Sequence, residues 1–114
     1  DINSGTIDGI TSLSVSGDVN IDSGTLFVDA SANAVGIGTS SPVTPLHIES
    51  TGKQRIRINS TDADEANIHF QDGTNTFSVG IDGADASFKV AGGTSLQSDT
   101  KLTINSRLGK PRVG

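Results

Sequence analysis

Pairs of apolar residues with one residue between them recur about every ten positions, and this spacing constrains the fold more than any other feature of the chain. A period of two is that of a β-strand with one buried face. Turn sequences such as Asp72-Gly73 and Asp82-Gly83 separate the pairs. No segment carries the apolar stripe of a helix. The sequence therefore predicts an all-β fold with very short strands. The pairs are Leu13/Val15, Val19/Ile21, Leu26/Val28, Val35/Ile37, Leu46/Ile48, Ile56/Ile58, Ile68/Phe70, Val79/Ile81, Phe88/Val90 and Leu102/Ile104.

A single chain has few large apolar side chains from which to build a core. Gly, Ser, Thr, Asn and Asp make up about half of the 114 residues, and the chain contains four Phe but no Trp, Tyr, Met or Cys. Apolar burial at about 25 cal/mol per Å² then struggles to offset roughly 1.5 kcal/mol of ordering entropy per residue. We therefore expect several copies to pool their apolar faces, and we do not expect an enzyme. Without cysteine, disulfides and thiolate metal sites cannot form.

The charge is acidic overall and unevenly distributed. The net charge of −5 disfavours nucleic acid as a partner, and no apolar run approaches the roughly 20 residues of a membrane helix. All eight basic residues lie at or after Lys53, which predicts two segments with a seam near residue 50. Since the chain starts at Asp1 rather than Met, we expect it to be a piece of a longer protein.

Two self-similar stretches predict an elongated, repetitive β architecture. The sequence of residues 2–7 returns with conservative changes at 21–26, and the pattern of 26–36 returns at 102–114. Short repeats that cannot bury a core alone are typical of stacked β architectures. The second repeat predicts that the parent sequence continues beyond Gly114.

Residues 26–42 and 45–48, which include Val-Gly-Ile-Gly-Thr-Ser-Ser-Pro and Leu-His-Ile, resemble an element of bacteriophage tail fibres and related phage appendage proteins. Residues 2–19 look like the fibre shaft that precedes this element, and residues 57–90 look more loosely like the β segment that follows it. The resemblance implies a non-enzymatic, structural component of the virion, located outside the cell. It would be an elongated homotrimer that contacts other virion proteins, such as a tail or capsid adaptor.

This resemblance predicts four segments. Residues 1–25 form an interwoven β shaft, residues 26–48 a junction, and residues 49–108 a small β-sandwich-like domain. Residues 109–114 start a further repeat or form a connector. Two alternatives stay open: a receptor-binding module for host surface polysaccharide, which the lack of Trp and Tyr disfavours, and a bacterial repeat adhesin.

The junction is where we expect structurally important residues. Glycines alternate with apolar residues there, so one face of the strand is bare and permits close approach of a threefold axis or an adjacent strand. Pro42 ends the strand, and we expect Ile37 and Ile48 to be buried. The junction residues are Val35, Gly36, Ile37, Gly38, Pro42, Leu46 and Ile48.

Several residues that suggest chemistry have simpler interpretations. Gly36-x-Gly38 lacks the third glycine of a dinucleotide fingerprint, because Ser41 holds that position, and no helix follows. His47 and His69 each lie between two apolar residues and should point away from the apolar face, toward solvent or a seam between chains. We therefore expect no joint metal site and no cofactor.

The charged clusters likewise favour structural roles. Asp62, Asp64 and Glu65, like Asp82 and Asp85, lack the twelve-residue calcium pattern and are expected in solvated turns. Arg55 and Arg57 alternate with Ile56 and Ile58, which predicts the basic outer face of a strand. A solubilising edge is favoured there over an anionic glycan contact. A third basic group, expected in a connector, comprises Arg107, Lys110 and Arg112.

Overall fold

A computed structural model describes residues 4–105 and 111–113 of the chain. These residues form short β-strands and contain no helix, which confirms the all-β prediction. No helix among them is long and apolar enough to cross a membrane. The strands are β1 (Val19–Ile21), β2 (Leu26–Asp29), β3 (Ala34–Ile37), β4 (Leu46–Ile48), β5 (Ala66–Asp72), β6 (Asn75–Asp82), β7 (Ser87–Gly92), β8 (Thr100–Asn105) and β9 (Pro111–Val113).

The chain divides into two compact units, Asp1–Arg55 and Ile56–Gly114. The division falls close to the seam near residue 50 that the charge distribution predicts. The first unit contains a sheet in the order β1-β2-β3-β4, so β1 belongs to the same sheet as the junction strands. The four-segment division of the chain stays a prediction, and residues 106–110 and 114 of its last two segments lie outside the described residues.

In the first sheet, β1, β2 and β3 pair antiparallel, and β4 pairs parallel to β3. The turn between β1 and β2 has positive φ at Asp22, Ser23 and Gly24, as tight hairpins require. The connection from β3 to β4 is residues 38–45, shorter than the dozen or more residues usual between parallel neighbours. This short return suffices because β3 has four residues and β4 only three.

The second sheet is an antiparallel meander in the order β5-β6-β7-β8-β9. The described strands of this unit form this one sheet, and the sandwich-like arrangement expected within residues 49–108 stays a prediction. Within the repeat at residues 102–114, β8 pairs antiparallel with β9, just as β2 pairs antiparallel with β3 in the copy that begins at residue 26.

Two predicted strands are wrong. Residues 11–15 and 53–60, which contain the pairs Leu13/Val15 and Ile56/Ile58, have no assigned strand. Alternation defines a possible face, but a strand also needs a neighbour to satisfy its backbone hydrogen bonds. Among the described residues, neither segment has such a neighbour. Arg55 and Arg57 are exposed, as expected, but they lie on an irregular segment rather than on the outer face of a strand.

Candidate assembly surfaces

The register of the five-stranded sheet places its apolar side chains on one face. Val79 of β6 is paired with Ile68 on one side and Val90 on the other, and this row continues through Leu102 to Val113. A second row and a third row lie on either side of it. The eleven apolar side chains of this face are Ala66, Ile68, Phe70, Phe77, Val79, Ile81, Phe88, Val90, Leu102, Ile104 and Val113.

Much of this apolar face is open to solvent, although Ile56 and Ile58 line a cavity together with Ile68, Val79 and Phe88 at one end of it. Phe70 is 60% exposed, and Phe77 and Ile81 are each 48% exposed. Burying one Phe or Ile side chain in full contributes about 1.5–3 kcal/mol. A sheet face with three rows of such residues therefore loses much of its potential stabilisation unless something covers it.

The opposite face of the same sheet is closed by the chain itself. Ser78 of β6 and Ala91 of β7 are fully buried, and so is Leu96 in the loop after β7. Ser78 Oγ donates a 2.5 Å hydrogen bond to the Gly93 carbonyl oxygen, and Gln97 Nε2 donates to Asp82 Oδ1 at 3.4 Å. These bonds hold residues 93–97 against this face, which we call the covered face.

Glu65 anchors the covering loop from the strand side. Its Oε1 accepts hydrogen bonds from Ser95 Oγ at 2.7 Å and from the Leu96 backbone N–H at 2.9 Å. Burial raises the pKa of Glu65, but the hydrogen bonds from Leu96 and Ser95 outweigh it and leave the pKa below its ordinary value of 4.5. Glu65 was expected in a solvated turn. That prediction is wrong because Glu65 is half-buried and binds a loop thirty residues away.

A buried ion pair completes the covered face. Lys89 Nζ lies 2.6 Å from Asp82 Oδ2 and 2.8 Å from Asp85 Oδ2. Hydrogen bonding to Asp82 and then Asp85 raises the pKa of Lys89, and the bond from Lys89 lowers the pKa of Asp85. Asp82 is 1% exposed, so its predicted place in a solvated turn is also wrong. Asp82 and Asp85 neutralise a lysine here, and the described residues contain no group of three or more His, Asp or Glu side chains placed to hold a metal ion.

The four-stranded sheet repeats the same division between an open and a closed face. Its register aligns two rows of four aliphatic residues on one side, of which Ile21 is 51% and Leu46 58% exposed. The eight residues of this apolar face are Val19, Ile21, Leu26, Val28, Val35, Ile37, Leu46 and Ile48. The other face carries Asn20, Phe27, Gly36 and His47, and Ala34 and Gly36 are buried there.

The connection between β3 and β4 passes over this second face at Gly36. A Cβ atom on Gly36 would overlap the Thr39 carbonyl oxygen, so only glycine permits the crossing. Gly38 has a φ of 78°, and a Cβ there would overlap the Glu49 carbonyl oxygen. The close approach expected at the bare glycine face is therefore made by the chain's own return segment and by the end of β4.

The remaining predicted residues lie apart from each other. Ile37 is 38% exposed and Ile48 is half-buried, so their expected burial needs a cover from outside the sheet. His69 is exposed on β5. His47 is half-buried, and its Nε2 lies 3.5 Å from Glu49 Oε2. Of the third basic group, Arg107 and Lys110 lie outside the described residues, and Arg112 is described only as part of β9.

Comparison with known proteins identifies no family: no family model matches the chain, and no curated protein matches it.

Proposed function

We propose that this chain is a structural segment of a virion fibre, of the kind found on bacteriophage tails, and that it acts as a homotrimer supporting host attachment. The observation that carries the proposal is that each of the two sheets closes one face with its own chain and leaves much of an apolar face open. Large exposed apolar faces mark interaction sites, and two such faces on one chain fit an assembling rod.

The exposed area of the chain supports assembly. Its accessible surface is 8681 Å², whereas two compact proteins of half its mass would together expose about 7,000 Å². The exposed residues 4–18 and the two apolar faces both contribute to this excess. A stable interface of standard size takes about 800 Å² from each partner, so the chain has enough surface available for one.

The resemblance of residues 26–48 to the phage fibre element supports the virion context, with other virion proteins as further partners. The geometry gives that element a physical role, because its glycines permit the short return from β3 to β4. The apolar face that results then includes Val35, Ile37, Leu46 and Ile48.

The proposal is tested by the mass of the chain in solution. Sedimentation equilibrium at micromolar concentration should give about three times the chain mass of 11.6 kDa. Replacing Ile37 by Asp should weaken assembly, because the four-stranded sheet would then bury an unpaired charge in its part of the interface. The matched control is Ser40→Asp, at an exposed position of the return segment, and it should assemble normally. A folded monomer of the natural chain, or normal assembly of Ile37→Asp, would contradict the proposal.

A further inference from the structure

We propose that the apolar face of the five-stranded sheet packs against the same face of two further copies of this chain, and that Val90 lies nearest to their common axis. This inference rests on the trimer proposed above. It adds which surface meets which, and where the centre of the contact lies.

The covered face leaves one side of the sheet available. Residues 93–97 and the buried Lys89 occupy the covered face, so a partner cannot reach Ser78, Asp82 or Ala91 without removing that loop. On the apolar face, by contrast, Ile68, Phe70, Phe77, Ile81, Phe88, Ile104 and Val113 are all exposed.

The number of rows indicates which surface of another copy covers the apolar face of the five-stranded sheet. The apolar face of the four-stranded sheet has two rows, built on strands of three or four residues. The apolar face of the five-stranded sheet has three rows, and its third row contains the exposed pair Phe70 and Phe77. A two-row face would leave one row of the larger face uncovered. The middle row of the larger face has five of its residues, the second row has four, and the third has only Phe70 and Phe77. Another copy of the larger face presents the same three rows.

The chemistry of the face also favours a second copy over a different protein. Its eleven side chains carry no charge and no hydrogen-bonding group. One ion pair within the chain, between Asp99 and Lys101, lies at one end of this face, where Asp99 occupies the space above Gly92 beside Phe77. Because the pair is neutral as a whole, identical copies meet on the face without like-charge repulsion. Three copies that close around one axis bring the same residue of each copy together at the centre.

The register places that centre at Val90. β7 is the middle strand of the five, and Val90 is paired with Val79 on one side and Leu102 on the other, in the middle row. Edge residues such as Ile68 and Val113 then contact neighbouring copies away from the axis.

The absence of natural cysteine permits a clean cross-linking test. Val90→Cys is a small change at the proposed centre. Gln71→Cys, at an exposed position on the opposite side of β5, is the control. Each variant is treated with a short bis-maleimide and analysed on a denaturing gel. We expect Val90→Cys to form covalent dimers containing at most two-thirds of the chains, because three thiols at one axis form one pair. Gln71→Cys should form almost none.

The outcomes separate this inference from the proposed function. A threefold mass without cross-linking of Val90→Cys would overturn the inference and leave the fibre proposal standing. Cross-linking of nearly all Val90→Cys chains into dimers would indicate a twofold contact. That result would contradict both this inference and the proposed trimer. In a further experiment, Val90→Cys chains are mixed with Val28→Cys chains. Cross-links that form only between the two variants would show that the five-stranded sheet of one copy packs against the four-stranded sheet of another. This result would overturn the inference but not the proposed function. A monomeric natural chain would overturn both.

Discussion

Gly36 lies where the chain turns back over its own sheet, and the lack of a side chain there permits the crossing. The Thr39 carbonyl oxygen occupies the space that a Cβ would need. The neighbouring Val35 and Ile37 point to the other face, where nothing in the described part of this unit covers them fully. One strand thus serves two purposes in the proposed assembly, with a glycine for the return segment and aliphatic residues for the proposed interface.

Replacing Gly36 by Ala should destabilise the four-stranded sheet by about 1–3 kcal/mol, because the return segment must move away from β3. Gly17→Ala is the control, since a Cβ at Gly17 meets nothing within 4 Å, and it should change stability by about 0.5 kcal/mol or less. Urea unfolding of both variants measures the difference. Equal stability of the two variants would show that the crossing tolerates a side chain.

At the scale of elements, each sheet depends on an irregular segment that closes one face. In the five-stranded sheet this segment is residues 93–97, held by Glu65 and by Ser78. Since the pKa of Glu65 is lowered in the folded chain, its ionised form stabilises the fold above its ordinary pKa of 4.5. That contribution is lost as the pH falls through the lower, folded pKa.

The stability of the natural chain should therefore decrease as the pH is lowered below about 4.5, and Glu65→Gln should weaken this dependence. The amide oxygen of the variant can still accept a hydrogen bond from Ser95 or Leu96. Its side chain carries no charge that protonation at low pH could remove. Urea unfolding between about pH 3 and pH 7 measures the effect. Asp8→Asn is a control at an exposed carboxylate whose Oδ1 accepts a hydrogen bond from the backbone N–H of its neighbour Gly9, and the pH dependence of this variant's stability should match that of the natural chain. A Glu65→Gln profile identical to the natural one would assign the acid sensitivity to other groups.

The strands were predictable from the sequence because a period of two is a local signal. Pairs such as Val79/Ile81 and Phe88/Val90 lie in strands as expected. The segments that close one face of each sheet were not predictable, because they are held by contacts between residues that are distant in the sequence. No local pattern shows that Glu65 binds Leu96 or that Lys89 lies between Asp82 and Asp85. The parallel pairing of β3 with β4 was missed for a similar reason, since alternation does not state strand direction. Gly36 and Pro42 were the available signals for the short return.

At the scale of the whole molecule, folding and assembly should be one process. Each sheet buries mainly small or polar groups on its closed side, and much of its large apolar surface is exposed in the single chain and would be covered only in the proposed trimer. The free energy of unfolding of such a chain includes the interface, so it depends on the chain concentration.

The melting temperature should therefore rise with chain concentration, by several degrees for a hundredfold increase from about 1 µM. Circular dichroism in the far ultraviolet, recorded across that range, measures it. The Ser40→Asp chain should show the same rise. A melting temperature independent of concentration would mean that the two units are stable without partners.

The return segment 38–45 and the loop 93–97 both lie on the side of their sheet away from the apolar face. In a rod assembled through the apolar faces, these two segments are on the outside. Thr94 and Ser40 are exposed there already. Fluorescent labels attached to the side chains at these two positions would be displayed in several copies along the proposed rod, without interrupting the contacts between its apolar faces.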